Sequence, residues 1–362
     1  MQHAPVGTRS GTHRWSRTAT RTGGRTSSQQ PASARRKDRG MGVNRIGIIG
    51  LGHVGAHVAN SLMLQGIADE LYLTEICSGD EDNSAKLRSE VQDLHDSLAF
   101  CPHNVEVVSC GEDYAALASC DVIVNAAGKV ALAAQNRDGE LFYTTDTAKR
   151  FIEPVAKAGF DGVWVTIANP CDVVATEIWK LSGADPAKVI GTGTALDSSR
   201  FKFALSNVTG IDQHSICAYM LGEHGFSQFA AWSAVNFGGK PLSQLAVEQP
   251  GRFGFDHDEL EQQGRQNGYV TMAGKHCTEY AVANAAARLV RAIESNEHVI
   301  TACSTLMDGQ YGESGVYASL PCVVGASGVE EVIELDLTAD EVEKFHASCA
   351  HIRENAQRVG LL

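Results

Sequence analysis

The run RIGIIGLGHVG (45–55) constrains this chain more than any other segment, because a short apolar β-branched stretch empties into three glycines and then into a helical pattern. A strand that ends in so tight a turn and restarts as a helix is the opening of a parallel βαβ unit. The spacing of Gly50, Gly52 and Gly55 assigns each a task. The first permits the turn, the second lets the backbone approach a pyrophosphate, and the third allows the helix to pack closely on its strand, with phosphates resting on the helix N-terminus. Twenty residues beyond Gly55, Glu75 ends the next strand-like run. A carboxylate there accepts hydrogen bonds from adenosine ribose hydroxyls and repels a 2′-phosphate, which favours NAD over NADP. FAD fits the same glycine spacing.

The rhythm continues. Strands are expected at 45–50, 70–76, 104–109, 121–128, 162–170 and 187–193, with helices between them, the first over about 54–66. This predicts an α/β fold: a doubly wound parallel Rossmann sheet, closed by the sixth strand. Beyond residue 193 the pattern shifts to a second, α+β catalytic domain. It holds a helix, a strand at 215–222, one long helical run at 268–293, strands near 298–304, 315–323 and 329–336, and a last helix after Thr338. Pro and Gly at 250–254 read as an internal loop. The expected division is therefore 1–40 as a disordered basic arm, 41–192 as an NAD-binding domain and 193–362 as a substrate domain.

Charge separates the arm from the rest. Nine Lys/Arg against Asp38 give residues 1–40 a balance of +8 within a total of −13, so residues 41–362 carry −21. Such a body repels nucleic acid and anionic membrane, and small molecules are its expected ligands. The arm contains no Leu, Ile or Phe with which to join a core, and Met41 offers an alternative start. The longest apolar runs, such as VWVTIA (163–168), fall far short of the roughly 20 residues a membrane helix needs. Ten cysteines are scattered without a C-x-x-C pair, the pattern of reduced thiols in a cytoplasmic protein rather than of disulfides or a zinc site.

Four further segments set polar groups among apolar neighbours: IANPCD with Asn169, GTGTALDSSR with Asp197 and Arg200, LGEHG with His224, and the loop GKVALAAQNRDGE with Arg137. With these motifs in this order, the chain from about Arg45 to its C-terminal helix resembles the L-2-hydroxyacid dehydrogenases of the lactate/malate dehydrogenase superfamily, and most of all the L-2-hydroxyisocaproate dehydrogenases.

That resemblance implies a reaction centre. Hydride passes between nicotinamide and C2 of the substrate while a proton moves on or off its oxygen, and His224 has the near-neutral acid/base character required. Asp197 would fix the His224 tautomer and stabilise the imidazolium. Arg200, one helical turn beyond Asp197, would grip the substrate carboxylate with its guanidinium fork. Arg137, on a loop that closes over the site, would polarise the substrate carbonyl. A longer-loop alignment puts Leu141 at that position instead. Asn169, kept out of helical geometry by Pro170, would contact the nicotinamide ribose or the substrate oxygen. Thr278 matches a substrate-pocket threonine.

In the substrate-reading stretch Val130–Ala134, Ala131 and its neighbours offer neither the second arginine of malate dehydrogenases nor the glutamine of lactate dehydrogenases. The expected substrates are 2-oxo acids with medium apolar side chains, such as 2-oxoisocaproate, reduced to L-2-hydroxy acids. L-Lactate dehydrogenase is the alternative within the class, and a non-catalytic NAD sensor is the alternative outside it. A homo-oligomer, dimer or tetramer, is expected by the same resemblance.

Overall fold

A computed structural model describes residues 42–129, 132 and 140–362. The expectations for the 1–40 arm, Met41, Ala131 and Arg137 lie outside the described residues.

Strands β1 (Arg45–Ile49), β2 (Glu70–Thr74), β3 (Glu106–Gly111), β4 (Val122–Asn125), β5 (Val163–Thr166) and β6 (Val189–Gly191) pair in parallel in the order β3-β2-β1-β4-β5-β6. Helices α1 (His53–Leu64), α2 (Ser84–Ser97), α3 (Leu141–Lys157) and α4 (Cys171–Ser182) supply crossovers. Five of these six strands are almost continuous apolar runs with both faces covered, as buried parallel strands require. The order reverses between β1 and β4, where an open sheet leaves a crevice at the carboxyl ends of its strands. The doubly wound fold expected from the glycine-led repeat is therefore present.

The sixth strand does not close the sheet. β12 (Val299–Asp308), β13 (Ser314–Gly325) and β14 (Gly328–Val332) extend it antiparallel to nine strands, β12 lying beside β6. Gly191 allows this seam, because a Cβ there would stand 2.8 Å from both Ser304 Cβ and Cys171 Sγ.

The strand expected at 215–222 splits into β7 (Ile216–Cys217), which pairs with β10 (Asn236–Phe237), and β8 (Met220–Leu221), which pairs with β9 (Phe229–Ala230). A short β11 (Lys240–Pro241) completes the β7 ladder. The split has a local cause: helix α5 (Ala195–Thr209) takes both main-chain groups of Met220, whose N–H donates to Ser198 Oγ and whose carbonyl accepts from Thr194 Oγ1. Pro250–Phe253, expected as loop, forms a single helical turn.

The run expected over 268–293 is two helices, α6 (His257–Lys275) and α7 (Tyr280–Glu294). His276 takes a left-handed conformation, φ 63°, and its N–H donates to Met272 O, ending α6. The alanines of α7, Ala283, Ala286 and Ala287, then seat it in the same core as Val58, Ala59 and Leu62 of α1. The last helix, α8 (Ala339–Arg358), begins where its capping box Thr338/Glu341 dictates. Among the described residues, no helix is long and apolar enough to cross a membrane.

Candidate active site

The glycine-rich turn has the geometry its spacing demands. Gly50 holds φ +86°, where an added Cβ would also press on the Ala127 backbone at 2.9 Å. Gly55 lies against Gly50 O, and a Cβ there would come to 1.9 Å. Gly52, the N-cap of α1, faces open space, with nothing within 4 Å of its would-be Cβ. A phosphate can reach the backbone at Gly52, whereas Gly50 and Gly55 are glycines for the fold.

Around this turn lies a cleft of about 330 Å³, lined by Gly50, Gly52, Glu75 and the carboxyl end of β4 through Lys129. Glu75 accepts the N–H of Leu51 at 2.8 Å and of Ile76 at 2.9 Å, one on each carboxylate oxygen. These bonds fix the carboxylate at the cleft wall and leave each oxygen a further lone pair for a ribose hydroxyl. The turn, the helix N-terminus and the acid at the end of β2 fit an adenine dinucleotide.

At the second focus, His224 Nδ1 lies 2.6 Å from Asp197 Oδ2, and Arg200 Nη1 donates to Asp197 Oδ1 at 3.1 Å. Asp197 sits in the first turn of α5 and Arg200 one turn on, so one helix face presents both. The Asp197 side chain is 6% exposed, while His224 and Arg200 keep 20% and 17% of theirs open. The three residues expected to work together are thus joined directly. The Arg200–Asp197 contact is also an ion pair within one helix, one turn apart. The Arg200 guanidinium lies along α6, 3.2–3.4 Å from where a Gly268 Cβ would stand.

Asn169 is exposed just past the end of β5, and Thr278 is half-buried in the link between α6 and α7. Phe226, two residues beyond His224, is 61% exposed.

Three acids had no role in the sequence analysis: Asp172 and Glu223 build the His224 turn, and Glu140 holds the backbone beyond β4. Asp172 is fully buried in the first turn of α4. It accepts the His224 N–H at 2.9 Å on Oδ2 and the Ser304 hydroxyl at 2.5 Å on Oδ1. Burial raises its carboxyl pKa, and the two hydrogen bonds oppose that rise. Glu223 accepts both the N–H and the hydroxyl of Ser227, folding the GEHG turn on itself. Glu140, 3% exposed at the start of α3, accepts the Lys129 N–H, and burial pushes its carboxyl up to about 7. All three lie in the quoted segments IANPCD, LGEHG and GKVALAAQNRDGE, but the partners of Asp172, His224 and Ser304, stand 52 and 132 positions away and leave no local signal.

A Rossmann sheet with a dinucleotide cleft at its switch point, in a chain that also carries an imidazole–carboxylate–guanidinium cluster, defines an NAD-dependent oxidoreductase acting on a small acid. Residues 44–191 match the lactate/malate dehydrogenase NAD-binding domain, and residues 194–360 the lactate/malate dehydrogenase α/β C-terminal domain. The chain belongs to the lactate/malate dehydrogenase family and is an NAD-dependent 2-hydroxyacid dehydrogenase. It is 39% identical over 311 residues to an L-lactate dehydrogenase of Fusobacterium nucleatum, covering 86% of this chain and 95% of that one. It is 38% identical over 323 residues to L-lactate dehydrogenase 1 of Bifidobacterium longum, covering 89% and 99%. The ligand-bound minor L-lactate dehydrogenase of Enterococcus mundtii superposes with a TM-score of 0.81 at 31% identity, covering 88% of this chain and 99% of that one. These relatives carry the lactate name, not the hydroxyisocaproate name of the resemblance given above.

Proposed function

We propose that this chain reduces 2-oxo monocarboxylic acids to L-2-hydroxy acids, with pyruvate as the leading substrate, and that His224, Asp197, Arg200 and Arg137 carry the reaction. The observation that supports it most is the contact of His224 Nδ1 with Asp197 Oδ2 at 2.6 Å, one carboxylate holding the imidazole and Arg200 in a single constellation.

NAD, when bound in the cleft of Gly50, Gly52 and Glu75, supplies the hydride chemistry. The chain's own residues do the rest. With Nδ1 turned to Asp197, His224 presents Nε2 to the substrate oxygen, donating a proton on reduction and accepting it on oxidation. Asp197 stabilises the imidazolium and holds its tautomer. Arg200 pairs with the substrate carboxylate. Arg137 polarises the carbonyl, and Asn169, Ala131 and Thr278 border the substrate. In this reading residues 41–192 hold the dinucleotide, residues 193–362 supply the acid/base pair, and the chain works as a homo-oligomer.

A second substrate reading rests on Val130–Ala134. These residues offer no charge or amide to a second carboxylate, so oxaloacetate would bury an unpaired charge at a cost of several kcal/mol. They do tolerate longer apolar side chains, each methylene adding about 0.8 kcal/mol. A panel of pyruvate, oxaloacetate, 2-oxoisocaproate and phenylpyruvate, followed by loss of NADH absorbance, tests both. The highest kcat/KM with pyruvate supports the lactate reading, and a preference for 2-oxoisocaproate supports the second. Preference for oxaloacetate would overturn both.

A further inference from the structure

One cluster of ligating side chains lies outside the proposed reaction. His53, Cys277 and Glu279 each turn a donor atom to a common point, all within 4.8 Å of one another. His53 Nδ1 stands 3.3 Å from Glu279 Oε1, and Cys277 Sγ stands 3.1 Å from the same oxygen. The other Glu279 oxygen is held by Lys275 Nζ, so the carboxylate is already oriented and keeps Oε1 toward the cluster.

The three come from two distant parts of the chain. His53 is the residue between Gly52 and the rest of α1, while Cys277 and Glu279 flank Thr278 in the α6–α7 link. Scattered cysteines without a C-x-x-C pair argued against zinc in the sequence, but pairing a glycine-turn histidine with a link cysteine is work that only the fold does.

We propose that His53 Nδ1, Cys277 Sγ and Glu279 Oε1 form a site for one divalent cation of the zinc class, clipping the glycine-rich turn to the α6–α7 link. One imidazole, one thiolate and one carboxylate make a borderline-soft donor set that suits zinc or cobalt(II) better than magnesium or calcium. A tetrahedral ion with bonds of about 2.0–2.3 Å holds its donor atoms roughly 3.3–3.6 Å apart, close to the spacing of His53 and Cys277 from Glu279, while the His53–Cys277 pair draws in from within 4.8 Å. The fourth position falls to water.

Burial and the neighbouring Glu279 keep the Cys277 thiol protonated while no ion is present. As the S–metal bond forms, the S–H bond breaks and the proton leaves to solvent, and no electrons are transferred. With Glu279 and the thiolate negative, the ion and Lys275 positive and His53 neutral, the loaded site carries a net charge of about +1.

The test is titration of the full-length protein with cobalt(II), read by its thiolate-to-metal charge-transfer band and by metal content after buffer exchange. One equivalent per chain is expected, with the band abolished in Cys277→Ser and the affinity weakened at least tenfold in His53→Gln and Glu279→Gln. Zinc should displace cobalt and raise the unfolding temperature of the parent but not of the variants. His53 is 77% exposed, so its variant keeps the fold and separates lost binding from misfolding. Absence of a cobalt band in the parent, or a band of equal strength in His53→Gln and Cys277→Ser, would overturn the site.

Discussion

The main-chain N–H of His224 donates to Asp172 Oδ2 at 2.9 Å, so the candidate acid/base is held by two carboxylates, one on its ring and one on its backbone. Asp172 lies in α4, Asp197 in α5 and the Ser304 hydroxyl that completes Asp172 in β12. Three elements on both sides of the sheet seam thereby fix one imidazole.

Removing that support should cost both stability and rate. Asp172→Ala leaves a buried N–H and a buried hydroxyl without their acceptor, an expected loss of about 1–3 kcal/mol in unfolding free energy. A displaced His224 turn should lower kcat by roughly 10- to 100-fold. Asp172→Asn should be milder, because its amide oxygen can accept from His224 while its NH₂ donates to Ser304 Oγ. Denaturant unfolding and steady-state kinetics on both variants check this ordering.

Gly52 and Gly55 should respond differently to alanine. At Gly55 the new Cβ meets Gly50 O at 1.9 Å, so Gly55→Ala should destabilise the fold by about 3 kcal/mol or more. At Gly52 nothing blocks the Cβ in the protein alone, so Gly52→Ala should keep its unfolding midpoint and weaken NADH binding about tenfold, ~1.4 kcal/mol. Thermal unfolding with and without NADH distinguishes the two.

Arg200 can be probed from its far side. A Cβ at Gly268 would press on the guanidinium at 3.2 Å, so Gly268→Ala should turn the fork and raise KM for the 2-oxo acid about tenfold, with KM for NADH unchanged. Steady-state kinetics varying each substrate in turn provides the check.

The 3.6-residue periodicity of the helices and the apolar strand runs made the parallel half of the sheet legible in the sequence, and GLGHVG with Glu75 marked the cleft for a local reason: these groups belong to one βαβ unit. Asp197 and Arg200 were legible because a helical turn joins them. What stayed hidden depends on tertiary partners. The β6–β12 seam rests on one close approach at Gly191, the break after Lys275 on a left-handed His276, and the role of Asp172 on residues 52 and 132 positions away. None of these leaves a period or a spacing in the chain.

Glu177 carries a pH signature of its own. It is fully buried on α4, and neither carboxyl oxygen has a hydrogen-bond partner among the described residues. Burial pushes its pKa up to about 8, with Lys149 opposing and Asp146 adding to the rise. The folded chain therefore binds this proton more tightly than the unfolded chain, and stability falls as pH rises from the ordinary carboxyl range through about 8. Glu177→Gln should flatten that decline, gaining more in unfolding temperature at alkaline than at mildly acidic pH.

The most direct measurement is the turnover of pyruvate by NADH in the parent and in His224→Asn, with NADH binding followed by its fluorescence in both. The account predicts unchanged NADH affinity and a fall in kcat of at least about 100-fold in the variant. A variant that binds NADH and turns over within a few-fold of the parent would contradict it.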